Sequence, residues 1–155
     1  MLKQTPRPGV AARRVGYAVA VLINLVALYL FNVQPGWRSA SFLTDGTPQV
    51  LVLLNLSLAV GIVANLVYVV TDGPWVKTIG ELTTTTIGLA VLIRLWKVFP
   101  FDFTAWTVNW GLITRIVVAV ALTGTAIALL VQTVALIRLA VGRFRHPGSG
   151  MPALR

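Results

Sequence analysis

The chain has 155 residues, of which 57% are hydrophobic and 11% charged, and its formal net charge is +9. A soluble domain carries about 25% charged residues, so this composition belongs to the membrane class. There is no cysteine and one histidine, His146, which excludes disulfides, thiolate metal sites and thiol redox chemistry.

Residues Met1 to Arg14 hold Lys3, Arg7, Arg13, Arg14, Pro6, Pro8 and Gly9. They read as a short basic tail. The first apolar run is Val15–Val33. A helix needs about 20 apolar residues to cross the hydrocarbon core. This run exceeds the usual 7–15 residue core of a secretory signal, so a retained first span is expected. Pro35 and Gly36 close it.

The connection from Gln34 to Gln49 sets Ser41-Phe42-Leu43 in a polar frame. The second run, Val50–Val70, ends at Thr71-Asp72-Gly73-Pro74, a strong turn signal. So short a turn predicts antiparallel neighbours. The third run is Ile79–Phe99, stopped by Pro100. An aromatic loop follows, with Phe101, Phe103, Trp106 and Trp110 around Asp102. The fourth run, Leu112–Val141, is longer than a span requires and must tilt or protrude. Residues 142–155 carry Pro147, Gly148 and Gly150 and read as a disordered tail.

The fold class expected is all-α, an antiparallel four-helix membrane bundle. Its orientation follows from the cations. Lys3, Arg7, Arg13, Arg14, Lys77, Arg138, Arg143, Arg145 and Arg155 fall on one side. Arg38, Arg94, Lys97 and Arg115 fall on the other. The positive-inside rule then puts both termini in the cytoplasm of a cell whose plasma membrane holds the chain. Aromatic residues gather on the opposite, outer side, where amphipathic rings suit the headgroup level. Cations placed in the flanks serve orientation, so nucleic acid is not an expected partner.

Three stripes of small residues each end in an amide: Gly16, Ala20 and Asn24; Ser57, Gly61 and Asn65; Gly124, Ala128 and Gln132. Small residues let backbones approach, and the amide is then expected to bond across the interface. The same amides are candidates for lining a polar pathway, together with Glu81. Glu81 begins the third span, where the helix dipole favours a carboxylate, and Lys77 stands four residues earlier. The Thr83–Thr86 run lacks the Tyr-Gly of a potassium filter. Arg94 and Arg115 each lie about a turn inside the outer boundary. Either they snorkel, or one pairs with Asp102 and the other meets a ligand or partner. These three form the candidate outer contact site. The acids and the lone histidine make no catalytic or metal-binding arrangement, so no cofactor is expected.

The segments Pro35-Gly36-Trp37-Arg38, Phe42-Leu43-Thr44, Asn65-Leu66-Val67-Tyr68 and Phe99-Pro100-Phe101-Asp102-Phe103 give a pattern that resembles small uncharacterised four-helix inner-membrane proteins of bacteria. The resemblance implies fold and location but brings no activity. The expected function is non-enzymatic: an accessory subunit bound to a protein partner, or a self-associating scaffold. The alternative is a small oligomeric transporter or channel.

Overall fold

The computed structural model describes residues 9–71 and 73–145, and side chains as far as residue 142. The expected tails over residues 1–8 and 146–155, and Asp72 of the turn signal, lie outside the described residues. Four helices make up the fold: α1 (Val10–Asn32), α2 (Thr47–Val70), α3 (Pro74–Val98) and α4 (Trp110–Arg145). A short 3-10 turn, Trp37–Ser39, follows α1. All four helices are long and apolar enough to cross a membrane, by length and composition.

Each helix starts ahead of the apolar run inside it. Val10 to Arg14, read as tail from sequence, form the opening of α1 because Ala11, Ala12, Arg13 and Arg14 all favour helix. Pro48 and Pro74 lie in the first turns of α2 and α3, where a missing N–H costs nothing. Helix α3 stops at Val98 because Pro100 disfavours helical backbone at Phe99. Phe99 instead adopts left-handed backbone, φ 42°. Helix α4 has 36 residues, a length of about 54 Å at the helical rise. It therefore outreaches a hydrocarbon core of about 30 Å. Residues 142–145, expected to be disordered, continue this helix.

Successive helices are antiparallel. Tyr17 meets Tyr68, and Asn32 meets Asn55, between α1 and α2. Tyr68 reaches Lys77, and Arg94 reaches Gln49, between α2 and α3. Arg115 lies on Trp96 and Phe99 between α4 and the end of α3. The four-helix bundle expected from sequence is an open one. Helix α1 packs on α2, α2 on α3 and α3 on α4, and no other pair of helices packs extensively.

An open row encloses little. Among the described residues, the buried apolar side chains are Val50, Leu51, Tyr68 and Val118, with Pro100 at the loop. Leu112, Ile116, Val120, Ile127 and Leu130 run along an outward face of α4 and are each more than half exposed. Such a face is stable only against another apolar medium.

A close approach occurs at the end where α2 and α3 join. The buried Tyr68 ring lies 5.4 Å from Tyr17, centroid to centroid, and its hydroxyl donates to the Lys77 carbonyl at 3.3 Å. That hydroxyl occupies the place where a side chain at position 80 would begin, so only glycine fits there. Gly88, two turns on, has open space at the same point. Gly80→Ala is therefore expected to lower stability by about 1–3 kcal/mol through overpacking. Gly88→Ala is expected to be neutral, or to add about 0.5–1 kcal/mol from helix propensity. Unfolding in mixed detergent micelles checks both. An unchanged Gly80→Ala midpoint would show that Tyr68 has room to swing aside.

Candidate functional site

The α1–α2 and α3–α4 loops meet at one end of the row. Leu43 and Phe101 form an antiparallel bridge. Thr44 N–H donates to the Pro100 carbonyl at 3.1 Å, and Asp102 N–H donates to the Phe42 carbonyl at 2.8 Å. Phe42, Phe101 and Phe103 stack on one another, with centroids 5.8–6.5 Å apart. The Phe99 ring stands edge-on to Phe101 at 5.4 Å. Alternating aromatics thus place three rings on one surface of the clasp, a stacking geometry these quadrupoles favour.

The outer site residues surround this clasp, each with its own partner. Arg94 Nη2 donates to Gln49 Oε1 at 2.9 Å, tying α3 to α2. The Arg115 guanidinium lies 4.2 Å from the Phe99 centroid and 5.7 Å from that of Trp96. This cation–π contact tethers the left-handed Phe99 and is worth about 0.5–1 kcal/mol at an exposed site. Asp102 turns back on its own loop and accepts from Thr104 N–H at 3.0 Å. The arginines are thus held by an amide and by rings, not by the carboxylate. Gln49 was not singled out from the sequence. Only the packing of α2 against α3 brings it to Arg94.

Beneath the clasp is a cavity of about 640 Å³. Its wall combines α1 (Ala27, Leu30), the first loop (Trp37, Phe42), α2 (Leu51, Leu54) and α3 (Val91, Leu95).

The intramembrane candidates are divided between interfaces. Asn24 and Asn65 flank Gly61 on the α1–α2 side: a side chain at position 61 would begin 3.3 Å from Asn24 Nδ2. Their amides bond back along their own helices, to the Ala20 and Gly61 carbonyls at 2.8 and 2.7 Å. The expected bonds across the interface are not made, because the carbonyl four residues earlier is already within reach. A different pair does cross. Asn32 and Asn55 exchange two amide hydrogen bonds at 2.9 and 2.7 Å. Both lie off the small-residue stripes, so spacing gave no signal for them. Gln132 lies on α4, and its Oε1 is buried without a hydrogen-bond partner. Glu81 is half-buried near the turn between α2 and α3. The Lys77 Nζ lies 5.8 Å from the centre of the Tyr17 ring.

A shallow groove of about 490 Å³ crosses the row at mid-height. Ser57, Thr85, Gly88, Gly124, Thr125 and Ala128 from α2, α3 and α4 form its floor. Neither Gly88 nor Gly124 has an atom within 4 Å of where a side chain would start. Among the described residues no three His, Cys, Asp or Glu side chains group as metal ligands would. Compared with family models, curated proteins and solved structures, the chain has no match.

Asp102 is a titrating group of the clasp. The Thr104 backbone N–H, and then its hydroxyl, hold the exposed Asp102 carboxyl below the usual carboxylate range. A carboxylate with a lowered folded value stabilises the loop fully above its unfolded value of about 3.9. That contribution disappears as pH falls through the lower folded value. NMR titration of Asp102 in micelles is expected to show a midpoint below about 3.9. Thr104→Pro, which removes the amide donor, is expected to raise that midpoint. An ordinary midpoint in the parent would mean that the loop turn is open in solution.

Proposed function

We propose that this chain is an integral membrane protein that acts without catalysis, by lateral association with a second copy of itself. The groove across α2, α3 and α4 supports this reading best. Its glycines and short side chains leave helix backbone uncovered at mid-height, where small residues normally allow another helix to approach. The open row supports it as well, since the described helices do not close around their own small-residue surface. In this reading both termini are cytoplasmic in the cell membrane, on the positive-inside argument.

The aromatic loops are then a rigid cap, because Arg94, Arg115 and Asp102 already have partners within the chain. Association with a different membrane subunit would use the same groove. The transporter alternative is less well supported. Asn24 and Asn65 sit between α1 and α2, whereas Gln132 is on α4, so these polar groups do not line one path within a single chain.

Energy transfer between donor- and acceptor-labelled copies in vesicles tests the proposal. Transfer is expected to fall as lipid dilutes the protein. Gly88→Leu and Gly124→Leu fill the groove and are expected to weaken association roughly tenfold, equivalent to about 1.4 kcal/mol. Val120→Leu on the outward face is the control and is expected to change nothing. Equal dilution curves for parent and groove variants would remove the groove as the contact. No transfer at any density would remove self-association.

A further inference from the structure

We infer that the cavity beneath the loop clasp binds one acyl chain of an anionic lipid, with Arg38 at its rim taking the phosphate.

The wall has almost no polar character to offer. Two hydroxyls belong to it, Ser39 and Thr47. Each is already spent on backbone, donating to the Gly36 and Thr44 carbonyls at 2.7 and 2.6 Å. Most of the loop amides along the wall are spent too. Gly36, Ser39, Ala40, Leu43 and Phe101 N–H all donate to backbone carbonyls. At about 640 Å³ the space has room for many water molecules. A stable buried water needs 2–4 polar partners. This wall supplies almost none, so the cavity selects against water and for hydrocarbon. Its size falls within the roughly 300–1,000 Å³ of small-molecule sites.

A detergent-like fit on an apolar helix face would be non-specific, but this site is built differently. Residues from three helices and both loops converge on it. The clasp forms its roof, through Leu43 and Phe101. Trp37, in the wall, carries the exposed Arg38 guanidinium 5.0 Å from its ring centre. A chain lying against Trp37 would therefore bring a headgroup close to a cation that the ring holds in place. Guanidinium pairs well with phosphate oxygens. An apolar chamber whose wall residue Trp37 carries an exposed cation describes an anionic amphiphile.

The inference rests on the membrane reading proposed above and is independent of self-association. The probe is palmitoyl lysophosphatidylglycerol, added to delipidated full-length protein in micelles. Mass spectrometry of the intact protein then counts retained molecules. One retained molecule per chain is expected. Ala27→Phe and Ala40→Phe each push a ring into the cavity, and each is expected to cut retention at least tenfold. Two separate filling variants guard against one failing to fold, and circular dichroism verifies the helices of both. Arg38→Gln is expected to keep a neutral palmitoyl probe while losing the preference for the anionic one.

Retention unchanged in both folded filling variants would place the probe on the outer helix faces and overturn the site. No retention by the parent would overturn it as well. Equal retention of neutral and anionic probes by the parent would overturn the role of Arg38. Release of the protein from native membranes by alkaline carbonate would count against the membrane reading itself, whatever the probe does.

Discussion

Two loop hydrogen bonds tie the α1–α2 loop to the α3–α4 loop across an open row of helices. Among the described residues, the edges of the row α1–α2–α3–α4 do not pack extensively on each other. Thr44 N–H on the Pro100 carbonyl and Asp102 N–H on the Phe42 carbonyl join the first helical hairpin to the second at the aromatic end. Loop backbone in an apolar setting must satisfy its polar groups internally. Here the loops do so by bonding to each other. The Phe42, Phe101 and Phe103 rings stack beside these bonds.

The rest of the aromatic end depends on that clasp. Phe99 has left-handed backbone, which is uncommon for a bulky residue. It is tolerated because the next residue is a buried proline and because Arg115 and Phe101 fix the ring. The clasp also roofs the apolar cavity and leaves Arg38 on the outside of its wall. The opposite end is organised by shape. A tyrosine hydroxyl lies where Gly80 has no side chain, so α2 and α3 approach closely just after their turn.

Most polar groups inside the helices follow one economy. Threonines 78, 83, 84, 86, 123, 125 and 133 each bond back to a carbonyl of their own helix. Asn24 and Asn65 do the same. A polar side chain satisfied within its own helix places no demand on a neighbour, and such groups give a row no polar reason to close. The bonds that do cross join neighbours in the row: the Asn32–Asn55 exchange pins α1 to α2, and Arg94–Gln49 and Tyr68–Lys77 pin α2 to α3.

The sequence by itself determined the four helices, their order and their alternating direction. Apolar runs of span length, proline and glycine punctuation and short turns are local signals, and helix hydrogen bonds are local too. Pro100 bounded the end of α3 to within one residue. The starts of α1 and α3 were less legible, each lying five residues ahead of its apolar run. Tertiary structure alone decided that the row stays open, that Arg94 finds Gln49 and Arg115 finds Phe99, and that a cavity lies beneath two loops 57 residues apart at Thr44 and Phe101. Those outcomes depend on which faces meet across long sequence separations. When every face of a helix is apolar, periodicity carries no mark of the face that packs inward.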